Sequence, residues 1–205
     1  MVGAAMNARE EILARVRAAV GPAAATGPAE VARDYLLSST VDDLTTQLTQ
    51  RLADYGATVV ATPAHFLVDR VREQVRGRVR VAPGLAGVLG DVGEPDDGGD
   101  PAALDRVDTA VTGCAAACAQ TGTIALDGSA DQGRRALTLV PDRHVCIVHT
   151  GQIVGTVPEL LARLDPRAPT TLVSGPSATS DIELKRVAGV HGPRQLVVIL
   201  VTDDT

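Results

Sequence analysis

The sequence predicts an α/β protein: a single domain with a mixed, largely parallel sheet flanked by helices. Three observations carry this. Helical and strand patterns alternate with short joints over residues 41–81, as they do where crossover helices link parallel strands. The run 196–201, LVVILV, is apolar throughout, as in a strand buried on both faces. Hydrophobic residues make up 45% of the 205, yet aromatics make up 1% (Tyr35, Tyr55 and Phe66), so the core is built from Val, Leu, Ile and Ala. A chain of this length buries roughly 70% of its unfolded surface, so its core needs neither disulfides nor metal.

The elements follow in order. Asn7 to Val20 reads as a helix, with Asn7 and Glu10 at capping-box spacing. Its apolar stripe is Ile12, Val16, Ala19 and Val20. Gly21-Pro22 stops it, and 22–30, rich in Ala, Gly and Pro, reads as a flexible linker. Residues 1–30 are therefore set apart from an α/β domain over 31–205, and the helix is either a loose arm or a docking arm for another chain. Thr40 is expected to cap a helix over 41–55, with Leu44, Leu48, Leu52 and Tyr55 on one face. A strand follows at 57–61. Thr62-Pro63 then reads as the cap and first position of a second helix, with Phe66, Leu67, Val71 and Val75 on its buried side. A strand resumes at 78–81.

Residues 91–101, DVGEPDDGGDP, read as a solvated acidic loop whose spacing does not match an EF-hand. Strands are expected at 107–112, 123–126, 136–140 and 145–149, the last two as a hairpin. Thr156, Pro158 and Glu159 mark the start of a helix over 157–164. A strand at 170–173, a helix at 180–188 and the last strand at 195–201 complete the chain.

Composition excludes some functions. A net charge of −6 and three aromatic residues argue against binding nucleic-acid backbones or stacking single strands. No apolar run approaches the ~20 residues that span a bilayer, and residues 1–9 lack the pattern of a signal peptide. Three cysteines in a chain of this length suit a reduced, cytoplasmic setting.

Three features could carry chemistry. The first is the loop Ser174-Gly175-Pro176-Ser177-Ala178-Thr179 between a strand and an expected helix. Ser180 and Glu183 form a capping box there, and Asp181 sits in the first turn. Such a loop is either an anion site, built from hydroxyls and free N–H groups, or an elaborate helix cap. It is expected at the carboxyl edge of the sheet. His191 and Arg194 precede the last strand, which puts them at the opposite, amino edge unless the loop folds back. The second is Thr121-Gly122-Thr123, with two hydroxyls around a glycine that either lets a ligand approach or makes an ordinary turn. The third is the Cys and His set. Cys114 and Cys118 are four apart, as on one helix turn. In a strand, His144 and Cys146 share a face roughly 7 Å apart while His149 points away, so one metal cannot take both histidines. Three cysteines are too few for a four-cysteine iron–sulfur cluster. The cysteines read as small buried hydrophobes, and no metal site is expected.

The stretch SGPSATSDIELKRVAGVHGPRQLVVILV, with QTGTIAL and LTLVPDRHVCIVHTGQIV, resembles the LUD domain family and, more narrowly, its lactate utilization protein C branch. The resemblance covers 107–201 closely and 40–82 by pattern. It implies a fold similar to NagB, RpiA and the CoA transferases. It also implies a cytoplasmic role in oxidising L-lactate to pyruvate, beside iron–sulfur and cysteine-rich redox proteins that carry the clusters. No cofactor is then expected on this chain. The chain departs from the family pattern at Gln120, where an acid is usual, and at Ala178, where Arg is usual, so Arg194, Arg143 or Lys185 would have to supply the cation. On this reading Thr121, Gly122, Thr123, Ser174, Gly175, Ser177, Thr179 and Arg194 bind a small carboxylate or phosphate-bearing ligand, and Asp181 or His191 is the base. Two other functions stand beside it: a transferase or ligase on a phosphorylated or CoA-linked substrate, and a non-catalytic scaffold.

Overall fold

The computed structural model describes residues 7–21, 38–179, 187–189 and 191–202. The chain divides into two compact units, Met1–Leu36 and Leu37–Thr205.

In the first unit, α1 spans Ala8–Val20. The expected capping box is present: the Asn7 side chain accepts from the Glu10 N–H, and the Glu10 carboxylate accepts from the Asn7 N–H. The helix buries none of its residues, and Ile12, Val16 and Val20 are exposed.

The second unit runs α2 (Leu44–Asp54), β1 (Thr58–Pro63), α3 (Leu67–Gln74), β2 (Val79–Val81), α4 (Ala86–Leu89), β3 (Glu94–Pro95), β4 (Thr109–Thr112), β5 (Ala116–Cys118), β6 (Thr123–Leu126), α5 (Arg135–Leu139), β7 (Arg143–His149), β8 (Ile153–Val154), α6 (Val157–Ala162), β9 (Thr171–Val173), β10 (Ala178–Thr179), β11 (Val187–Ala188) and β12 (Gln195–Thr202). Six strands form one sheet in the order β1-β12-β7-β4-β2-β3, every pair parallel. A second sheet, β8-β5-β6-β9, is mixed, and β10 and β11 form a small hairpin.

The two-residue period of the strands sorts the core. Leu196, Val198 and Leu200 of β12, with Cys146 and Val148 of β7, face one way. They pack on α2 through Leu48 and Leu52, and on Ala117, Ile124 and Leu126 of the second sheet. Val197, Ile199, Val201, Val145 and Ile147 face the other way, onto Leu67 and Val71 of α3 and Leu89 of α4. The outer face of the second sheet, Ala116, Cys118 and Ala125, is covered by Leu160 of α6. The order is thus α6, second sheet, parallel sheet, α3 and α4. With so few aromatics, the layers close on aliphatic side chains.

Several elements differ from the sequence reading. Asp43, not Thr40, caps α2, its carboxylate accepting from the Thr46 N–H at 2.9 Å. Thr62 and Pro63 extend β1 rather than starting a helix, which the end of an edge strand tolerates. A 3-10 turn over Ala64–Phe66 follows, so Phe66 is exposed rather than buried and lies against His65. Residues 136–140 are not a strand and make no hairpin. Residues 136–139 lie in α5, with Val140 its C-cap; the helix buries Leu137 and Thr138 and lets β7 enter parallel to β4. A five-residue apolar run does not separate the two periods. Val187 and Ala188 form a strand and not the end of a helix; residues 180–186 lie outside the described residues. The five acids of 91–101 are all engaged. Asp91 pairs with Arg72 and Glu94 with Arg80, Asp97 and Asp100 accept from backbone N–H groups, and Asp96, with a side chain only 4% exposed, is held by Arg134 through two hydrogen bonds of 2.7 and 3.0 Å.

Candidate functional site

β9 belongs to the second sheet, antiparallel to β6. The chain leaving it therefore does not emerge at the carboxyl edge of the parallel sheet, as expected, but passes the amino end of β12. There the Ser177 N–H donates to the Pro193 carbonyl at 2.9 Å, and the His191 N–H donates to the Ser177 hydroxyl at 3.2 Å. Ser177 and His191, placed on opposite edges by the sequence reading, are neighbours, because the 191–194 loop and the 174–178 loop bond to each other.

The Thr121–Thr123 turn joins the same cluster. Thr121 Oγ1 lies 2.7 Å from Thr123 Oγ1, which lies 2.8 Å from Ser174 Oγ. Two glycines set this geometry. Gly122 (φ +62°) and Gly175 (φ +97°) both lie against the end of α2. A Cβ at Gly122 would fall 2.7 Å from Arg51 Cβ, and one at Gly175 would fall 2.6 Å from Tyr55 Cβ. Here each glycine permits a helix contact.

Beneath the loops is a cavity of about 330 Å³. Its lining includes Ser174–Ala178, His191, Arg135 and Thr138 of α5, and His144 and Leu196, the second residues of β7 and β12. It therefore sits at the amino end of the parallel sheet. Arg135 donates to Thr171 Oγ1 at 2.6 Å and has no acidic partner among the described residues. Among the described residues it is the cation of the cavity.

His144 is 2% exposed, and burial lowers its pKa to about 4, so the ring is neutral at pH 7. Its Nε2 lies 2.7 Å from Thr112 Oγ1, and that hydroxyl donates its single hydrogen to the Gly113 carbonyl at 2.9 Å. Both contacts are satisfied together when Nε2–H donates to Thr112. The other ring nitrogen, Nδ1, carries a lone pair.

The LUD domain model matches residues 102–201, a span that contains every cavity-lining residue named above. The chain is 46% identical over 165 residues to lactate utilization protein C of Deinococcus radiodurans, covering 76% of this chain and 78% of that protein. The chain belongs to the LUD domain family. A solved structure agrees: the crystal structure of a DUF162 family protein from Deinococcus radiodurans superposes with a TM-score of 0.65 at 37% identity, over 78% of this chain and 96% of that one. Lactate utilization protein C of Anoxybacillus flavithermus is 30% identical over 104 residues, and the match spans 47% of that protein.

Within this LUD domain, the sequence-predicted residues divide. Ser174, Gly175, Ser177 and His191 line the cavity, and Thr121 and Thr123 reach it through Ser174. Arg194 turns outward to an ion pair with Asp142, which raises its pKa. Arg143 is spent on the Gln74 carbonyl and Gln195. Thr179 belongs to β10, and Asp181 and Lys185 lie outside the described residues. Arg135, Thr138 and the cavity role of His144 escaped the sequence reading. The lost signal was α5: read as a strand, it gave no reason to bring Arg135 to the amino edge. Cys114 and Cys118 are not on a helix, since Cys118 is in β5 and Cys114 in the turn before it. All three cysteines are buried free thiols, and hydrogen bonding to Cys146, with burial, pushes the Cys114 thiol well up. Among the described residues no three His, Cys, Asp or Glu side chains cluster to hold a metal ion, and no helix is long and apolar enough to cross a membrane.

Proposed function

We propose that this LUD-domain protein is a cytoplasmic subunit of a system that oxidises L-lactate to pyruvate, and that its part is to hold a small carboxylate in the cavity at the amino end of the sheet. The electrons pass to iron–sulfur and cysteine-rich partner proteins. This chain carries no cluster; its thiols are buried, which suits packing rather than cluster ligation. What supports the reading is kinship with lactate utilization protein C, together with one observation at the site: the Arg135 guanidinium, without an acidic partner among the described residues, lines a cavity edged by the hydroxyls of Ser174, Ser177 and Thr138. A guanidinium fork with adjacent hydroxyls suits a carboxylate. The volume, about 330 Å³, is at the small end of ligand sites, which favours a compact acid over a CoA-sized group.

The test is calorimetric titration of L-lactate into the wild type and Arg135→Gln. Arg135 is exposed, so the variant keeps its thermal midpoint while affinity falls by at least about tenfold, the loss of one charge-assisted pair. Equal affinities in the two proteins refute the assignment.

A further inference from the structure

We propose that His144 makes this cavity selective for a 2-hydroxycarboxylate over the matching 2-oxocarboxylate, by offering a lone pair that only a ligand hydroxyl can satisfy. The proposal rests on the carboxylate reading of the cavity and adds what reads the neighbouring carbon.

The ring is fixed by its surroundings. Thr112 closes β4 and His144 is the second residue of β7, and the two side chains project from the same face of neighbouring parallel strands. The Thr112 hydroxyl has one hydrogen, and the Gly113 carbonyl, which can only accept, takes it. Both of the hydroxyl's contacts are satisfied together when the histidine is the donor at Nε2. No hydrogen bond engages Nδ1 among the described residues, although the ring is almost wholly buried and lines the cavity. A lone pair at a cavity without a protein partner favours any ligand that brings a donor to it.

Most other described groups at the cavity do not select in this way: the Ser174 and Ser177 hydroxyls both donate and accept, so they suit a hydroxyl or a keto oxygen alike. Arg135 donates only. The Thr138 hydroxyl, donating to the Arg135 carbonyl at 3.1 Å, is a second acceptor of the same kind, and Leu139 and Leu196 are apolar. His191 is exposed at the rim and is held through its backbone N–H by Ser177. With the carboxylate on Arg135, a hydroxyl on the adjacent carbon donates to Nδ1. A keto oxygen in that place sets lone pair against lone pair.

The test is a three-ligand comparison on the wild-type protein by calorimetry: L-lactate, propionate and pyruvate, which share the carboxylate and differ at one carbon. L-Lactate binds about tenfold more tightly than the other two, the size of one satisfied hydrogen bond. His144→Phe, which has no lone pair, brings the three together. A nitrogen-15 spectrum of the unliganded wild type shows the Nε2–H form of His144. Pyruvate binding as tightly as lactate, or an Nδ1–H ring, overturns this proposal and leaves the Arg135 site standing. If none of the three acids binds, both fall.

Discussion

Lowering the pH should expose the cost of keeping His144 neutral. The ring sits among the ends of β4, β7 and β12, with Arg135 and His191 also at the cavity, and burial moves its pKa from the ordinary 6.5 to about 4. The unfolded chain therefore takes up this proton first as pH falls. Between pH 6.5 and 4 the unfolded state binds more protons at this residue than the native state, so stability declines with falling pH across that window and is fully present above it. At about 1.36 kcal/mol per pH unit, a fall from 6.5 to about 4 amounts to about 3 kcal/mol. Urea unfolding of the wild type and His144→Gln at half-unit steps from pH 7.5 to 4 is the assay. Carboxylates titrate in the same range in both proteins, so the quantity to read is the difference between the two curves. The variant starts less stable at pH 7 and closes the gap by about 3 kcal/mol towards pH 4. Parallel curves would refute the argument, since they would mean the ring charges in the native state as easily as in the unfolded chain.

Other substitutions probe the scaffold. Gly122→Ala should destabilise by roughly 2–4 kcal/mol in thermal unfolding, because the new Cβ meets Arg51 in a left-handed backbone conformation that alanine resists. Arg134→Ala strands the buried Asp96 carboxylate, and the loss should be about 2–3 kcal/mol, below that of a fully buried pair because Arg134 is 26% exposed. Hydrogen exchange in 91–101 should rise with it. Asp142→Ala removes the exposed pair with Arg194 and should move the thermal midpoint by no more than about 2 °C. A larger shift would show that the pair holds the 191–194 loop in place.

The fold was legible where patterns were long. The eight-residue β12 and the capped α6 were readable because apolar continuity and the Thr156–Glu159 box each point one way. The α/β class followed from them. Short elements were not readable: α5 has five residues, and its Ala-Leu-Thr-Leu run alternates as a strand would. That one element hid Arg135. The cavity was half legible. Serine and glycine loops announce themselves, but their position depends on which sheet takes β9, and no local signal states that β9 pairs with β6. His144 looked like a strand residue with a metal question attached. Its importance comes from Thr112, 32 residues away, a partner that only the parallel register supplies.

The position of β12 bears on how the chain is made. This strand is inserted between β1 and β7, joining Thr58–Pro63 to Gln195–Thr202 across most of the sequence. While the ribosome is still making residues before 195, β1 has no neighbour in the sheet and β7 has one side open. Both are apolar edges of the kind that recruit other chains. At a synthesis rate of about 5–20 residues per second, the growing protein spends seconds with its widest seam unclosed. Cellular yield of this protein should therefore depend on holdase chaperones more than its final stability suggests, and truncations that remove β12 should aggregate rather than accumulate as smaller folded domains.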